Sequence, residues 1–119
     1  MRYTEEHEWL RVEDDLVVVG ITEHAATQLG DLVFVELPDE GRTVTKDEEI
    51  VVIESVKAAS DIMAPVEGEI IEVNTALVEN PAMVNEDPLH NGWFVKIAVE
   101  DLSVLDEFMD DAAYKAFVG

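Results

Sequence analysis

A chain of 119 residues, 48% of them hydrophobic, suits one domain over residues 1–119, and a domain of this size buries roughly two-thirds of the surface its unfolded chain exposes. Against 7 Lys+Arg stand 28 Asp+Glu, a formal net charge of -21 that repels phosphate backbones and anionic lipid heads and so argues against nucleic acid and membrane surfaces as partners. The chain has no cysteine, which excludes disulfides, thiolate metal sites and a cysteine nucleophile, and leaves any sulfur redox chemistry to an attached cofactor.

The acids are scattered along the chain, as on a solvated surface, and their functional counterpart is a set of partners with basic rims, since opposite charge speeds encounter. A monomer is expected. Met1 to Glu6 is acidic with no apolar stretch behind it, so no secretory or transit peptide is predicted, and the apolar runs are too short to span a bilayer. The expected compartment is the cytoplasm.

In chain order, Glu8–Val12 and Leu16–Val19 read as strands joined by the polar turn Glu13-Asp14-Asp15. Thr22 to Leu29 reads as a short helix: Thr22 caps it, Glu23 suits the positive end of the dipole, Ala25 and Leu29 share a face, and Gly30 ends it. Leu32–Val35 is a further strand, closed by Pro38-Asp39-Glu40-Gly41. The pattern Pro-x-Glu-Gly returns at Pro65-Val66-Glu67-Gly68, and a strand-like segment follows each copy.

Glu49–Ile53 and Ile62–Val66 are apolar runs flanking Glu54-Ser55-Val56-Lys57-Ala58-Ala59-Ser60-Asp61, so the chain reads strand, turn, strand, with Lys57 at a hairpin tip. An ammonium on a flexible stem at such a tip, between the small Val56 and Ala58, is open to modification by another protein; the plain reading is an ordinary exposed turn lysine. Lys46 lies in a loop among acids, Lys96 points outward from a strand and Lys115 sits on a terminal helix, all three solubilising. Glu69–Val73 is another strand. Asn80-Pro81, Asn85 and Asp87-Pro88 mark Asn74 to Asn91 as loop. Trp93, Val95, Ile97 and Val99 alternate on one face of a core strand, and Leu105, Met109 and Ala112 are spaced for a helix begun by a capping motif at Ser103, with two short helices broken near Asp110-Asp111 fitting equally well. His7, His24 and His90 are isolated in sequence, without metal or triad spacing, and surface or packing roles are expected for them.

Taken together, the lysine octapeptide, His7-Glu8-Trp9, Val19-Gly20-Ile21-Thr22, Leu29 to Pro38, Gly68 to Asn74 and Asn91-Gly92-Trp93 resemble, in order, the H proteins of the glycine cleavage system. The resemblance covers nearly the whole chain. It implies a mainly β fold, the lipoyl/biotinyl-carrier barrel-sandwich hybrid of two small sheets, with the short helix near 22–29, C-terminal helical segments and a pseudo-dyad relating the two Pro-x-Glu-Gly motifs. It also implies lipoate on Lys57, a swinging arm whose tether keeps delivery close to intramolecular. The implied partners are a pyridoxal-phosphate glycine decarboxylase, an aminomethyltransferase, a dihydrolipoyl dehydrogenase and a lipoyl ligase or transferase, with the chain a carrier and not an enzyme. Biotin is the rival cofactor, but biotinyl lysines usually lie between methionines. Other clients for the same fold are lipoyl relay and sulfur oxidation, and an unlipoylated acidic interaction module is a further alternative. Asp61 is a candidate to hold a cationic aminomethyl amine by a charge-assisted hydrogen bond, or else a turn acid bonded to local backbone. Glu8 is a candidate on the resemblance of His7-Glu8-Trp9 alone. The sequence departs from the family pattern at Asp47, where a glycine is usual, and at Leu89-His90, where an aromatic usually follows the proline.

Overall fold

Short strands rich in Val and Ile build both sheets, because such side chains pack well on a pleated surface that is buried on one face. The computed structural model describes residues 1–119. In chain order it comprises β1 (Arg2–Tyr3), β2 (Glu8–Glu13), β3 (Leu16–Ile21), α1 (Glu23–Leu29), β4 (Leu32–Glu36), β5 (Thr43–Val44), β6 (Glu49–Ser55), β7 (Ala59–Met63) and β8 (Gly68–Val73). Then follow α2 (Ala76–Glu79), α3 (Met83–Glu86), β9 (Val95–Ala98), a 3-10 turn over Leu102–Glu107 and α4 (Asp111–Val118). No helix is long and apolar enough to cross a membrane.

The strands make a six-stranded sheet in the order β1-β2-β3-β9-β8-β5 and a three-stranded sheet in the order β4-β6-β7. Every pairing is antiparallel. This is the expected mainly β, two-sheet carrier sandwich. Leu10, Val17, Val19, Val35, Ile53, Ile70 and Ile97 are essentially inaccessible and belong to one core shared by both sheets. β2 and β3 turn at Asp14 and Asp15, whose φ values of 52° and 64° are the left-handed conformations a two-residue hairpin turn requires. The two Pro-x-Glu-Gly segments lead into β5 and β8, which pair with each other, Thr43 opposite Glu69 and Val44 opposite Gly68. Gly68 fits there because a Cβ would collide with the Ala98 carbonyl.

Several expectations are corrected. The hairpin turn is shorter than the octapeptide: the second leg runs Ala59–Met63 rather than Ile62–Val66, because β6 and β7 pair as far as Glu54 with Ala59. Residues 74–91 hold two single-turn helices, α2 and α3, each anchored by one buried apolar side chain, Leu77 and Val84. Asn80-Pro81 and Asp87-Pro88 follow the ends of these turns, while Asn85 lies within α3. Trp93 is half-buried while Phe94 is fully buried, because both precede β9 and the alternation starts only at Val95. Of the two C-terminal readings, the pair of short helices broken near Asp110-Asp111 holds, but Asp101, not Ser103, caps the 3-10 turn by accepting from the Ser103 N–H, and Asp110 caps α4 through the Ala113 N–H. Between them Met109 bridges to Tyr3, so Leu105, Met109 and Ala112 do not share one helix face.

Candidate functional site

Lys57 stands at the tip of the β6–β7 hairpin and is exposed. Ser55 closes the turn alone. Its hydroxyl accepts from the Lys57 and Ala58 N–H groups, both at 3.1 Å, and reaches the Ala58 carbonyl at 3.1 Å, while its own N–H donates to that carbonyl at 2.8 Å. Serine suits this position because a short hydroxyl can satisfy turn amides that have no ladder partner. Three residues are left at the tip, Val56, Lys57 and Ala58. The tip is tied to the body where the Val56 N–H donates to the Asp31 carbonyl at 3.0 Å. The lysine stem lies over Gly30, where a Cβ would come within 3.3 Å of Lys57 Cε and 3.6 Å of Cδ. Gly30 has φ 77°, and Thr22 caps the other end of α1 by accepting from the Ala25 N–H.

The other lysines of the chain are placed differently. Lys96 pairs with Glu72 at 3.4 Å and lies 5.0 Å from the Trp93 ring centre. Lys46 sits over Phe108 at 5.9 Å, and Lys115 is in the last turn of α4. Lys57 takes part in none of the five ion pairs, so its amine is held by no carboxylate.

Beside the hairpin lies a cleft of about 350 Å³ lined by Glu8, Ile21, Leu29, Ile53, Ser60 and Asp61 among others. The structure therefore brings Glu8 and Asp61, 53 positions apart in sequence, to one concavity. Their settings differ. Asp61 is exposed and pairs with Val52, an outward position, whereas Ser60 stands opposite the buried Ile53. Glu8 is 5% exposed at the start of β2. Its carboxyl accepts from the Thr4 hydroxyl at 3.2 Å, and its N–H donates to the same oxygen at 3.1 Å. Burial pushes the Glu8 carboxyl up to about 7, with the nearby negative charges of Glu6 and Asp47 adding to the rise and the Thr4 hydroxyl and Met63 N–H opposing it. A second cleft, about 340 Å³, lies on the other side of Glu8 against Tyr3, Lys46 and Phe108 and does not reach the hairpin tip.

The histidines are not all isolated. The His7 and His24 rings lie 4.6 Å apart, and His7 Nδ1 is 2.8 Å from the Tyr114 hydroxyl, which is also 2.8 Å from Thr22 Oγ1. His90 is bonded to Asp87 at 3.2 Å. These are packing contacts, and no group of three or more His, Asp or Glu side chains is arranged to hold a metal ion. Asp47 adopts φ 70°, the left-handed conformation that a glycine takes without strain. Sequence reasoning missed three residues of the hairpin's setting: Ser55, Ser60 and Asn85, the last of which bonds both sides of Gly30 from α3. Only Ser55, a hydroxyl beside a short turn, left a readable trace.

Two antiparallel sheets closed on one core, with an unpaired lysine on a tight turn at one end, define a carrier of the lipoyl or biotinyl type, a protein that presents a tethered group and performs no turnover alone. The sequence matches the family described as Glycine cleavage H-protein over residues 1–119. It is 57% identical over 117 residues to the glycine cleavage system H protein of Dinoroseobacter shibae, covering 98% of this chain and 96% of that one. To the glycine cleavage system H protein of Methylocella silvestris it is 54% identical over 118 residues, covering 99% and 94%. The crystal structure of a glycine cleavage system H protein from Mycobacterium marinum superposes with a TM-score of 0.86 at 40% identity, covering 96% of this chain and 92% of that one. The chain belongs to the glycine cleavage H-protein family. Its role is that of a lipoyl carrier, shuttling the aminomethyl group of glycine in the glycine cleavage system without being an enzyme.

Proposed function

We propose that the arm is carried on Lys57, with lipoate joined to its Nζ by an amide bond, and that residues 1–119 act as one carrier domain between glycine decarboxylation and aminomethyl transfer. The observation that carries this assignment is the exposed, ion-pair-free amine on a three-residue tip, its stem resting on the open face of Gly30. Such a tip can enter a narrow ligase cleft, since Val56 and Ala58 add little bulk on either side. Acylation joins the deprotonated Lys57 amine to an activated lipoyl carboxyl; the C–N bond forms, the activating group leaves and the amine proton passes to water. Once bound, the group supplies a redox-active disulfide, which a chain without cysteine cannot supply for itself.

The chain's own residues then hold and deliver. The cleft beside the hairpin, lined by residues from Leu29 to Glu8, is the place for the arm's end to shelter. Glu8, raised by its burial to about 7, is poised to gain or lose its proton near neutral pH. A cationic amine laid against it favours the carboxylate and is held by a charge-assisted hydrogen bond. Asp61 at the rim adds a second, solvated negative charge. The partners that fit are a pyridoxal-phosphate glycine decarboxylase, an aminomethyltransferase, a dihydrolipoyl dehydrogenase and the lipoyl ligase or transferase, each meeting a surface of net charge -21.

Intact mass after incubation with a lipoyl ligase, lipoate and ATP tests the assignment. Wild type gains one lipoyl group and Lys57→Arg gains none while its circular dichroism spectrum is unchanged. Modification that persists in Lys57→Arg, or a wild type that stays unmodified, would sink it.

A further inference from the structure

Nothing in the lysine hairpin itself explains why its tip sits where it does. The tip meets the body at the short segment Gly30-Asp31-Leu32, between the end of α1 and the start of β4. Gly30 carries the lysine stem, and the Asp31 carbonyl takes the Val56 N–H. The segment is a bend between two elements: Gly30 is past the last turn of α1, and Leu32 opens β4, where it stands opposite Ser55. Beside that pairing, one side chain from α3 bridges the bend itself. Asn85 accepts from the Leu32 N–H at 2.9 Å, donates to the Gly30 carbonyl at 2.8 Å and reaches the Ala26 carbonyl at 3.5 Å. One amide orientation serves all three partners, oxygen toward the N–H and nitrogen toward the two carbonyls, so the group spans the bend like a splint.

We propose that Asn85 is a positioning residue for Lys57: by bridging Gly30 and Leu32 it fixes the platform on which the lysine stem lies and from which Asp31 anchors the tip. This rests on Lys57 being the attachment point, but its structural half does not. An asparagine is needed because the bend offers one donor and two acceptors within reach of one side chain. Alanine provides neither function. Aspartate keeps the acceptor for Leu32 and sets an oxygen against the Gly30 carbonyl, so it removes half of the bridge without changing its size.

The test combines amide hydrogen exchange, read by NMR, with lipoylation kinetics on the full chain. In Asn85→Ala the Val56 and Leu32 amides should exchange roughly tenfold faster, the ratio expected for the loss of one or two hydrogen bonds, while β3 amides keep their wild-type rates. The ligase KM for the carrier should rise several-fold with kcat unchanged, because the acylation chemistry is intact and only the presented geometry has loosened. Asn85→Asp should loosen Val56 while leaving Leu32 protected, which keeps the test available if the alanine variant folds poorly. Uniformly faster exchange across all strands would mean that Asn85 serves global stability only and would overturn the proposal. So would unchanged Val56 exchange, or an unchanged KM. If Lys57→Arg is still modified the attachment reading falls on its own, and the Val56 exchange result still reports on the splint.

Discussion

Glu8 shows how one residue ties burial to proton uptake. Its carboxyl is taken from water and raised to about 7, so between the usual carboxylate range and pH 7 the folded state holds a proton that the unfolded chain has released. The stabilisation from this group is therefore complete below about pH 4.5 and fades as pH rises through 7, amounting to on the order of 3 kcal/mol if the whole shift is expressed. Glu8→Gln should remove that slope, giving a stability that falls less than wild type between pH 5 and pH 8 in urea titrations; parallel curves would refute the assignment. Gly20 offers a steric counterpart. It faces Trp9 across the β2–β3 ladder, and any Cβ there would collide with the indole ring, which is itself fixed by donating to the Pro88 carbonyl at 2.9 Å. Gly20→Ala should cost about 1–3 kcal/mol by overpacking, seen as a lower urea midpoint with an unchanged m value.

Among the elements, α4 is the one whose docking depends on few contacts. Tyr114 stacks on Tyr3 with ring centres 4.5 Å apart, and its hydroxyl joins His7 and Thr22, so the terminal helix is latched to the loop before β2 and to the cap of α1. Tyr114→Phe keeps the stack and strands the two polar partners, with an expected loss of roughly 1–2 kcal/mol. Exchange protection should fall first in α4. Burial and the neighbouring His24 hold His7 below its ordinary value, so the neutral form is favoured on folding and this latch, intact above the ordinary imidazole range, weakens as pH falls below it. The N-terminal half was most legible in the sequence: Thr22 and Gly30 bound α1 as read, and β2, β3 and β4 each lie within two residues of their predicted runs, whereas β7 and the Ser103 cap were misplaced. Lys57 at its turn was legible for the same reason, since two apolar runs framed it. The single-turn helices α2 and α3 were not legible, because four residues carry no 3.6 period and only Leu77 and Val84 mark their inward faces. The meeting of Glu8 with Asp61, and of Asn85 with Gly30, arises from long-range packing that local spacing does not encode.

Across the whole molecule the net charge of -21 acts in opposite senses on folding and on encounter. Self-repulsion among carboxylates disfavours the compact state, whereas the same field would draw in partners with the basic rims expected of them. Salt screens both, with a Debye length of roughly 10 Å at 0.1 M. Added sodium chloride should raise the thermal midpoint of the free carrier while lowering its kcat/KM with the decarboxylase; a midpoint that falls, or a rate indifferent to salt, would contradict this account. The tight closure made by Ser55 bears on another class of enzyme. A protease must draw several extended residues through its cleft, and three residues between paired strands cannot supply them. Trypsin should therefore cut after Lys57 only in molecules whose hairpin has already unzipped, making the rate of that nick a gauge of how often the ladder opens, and acylation of the amine should abolish the nick altogether.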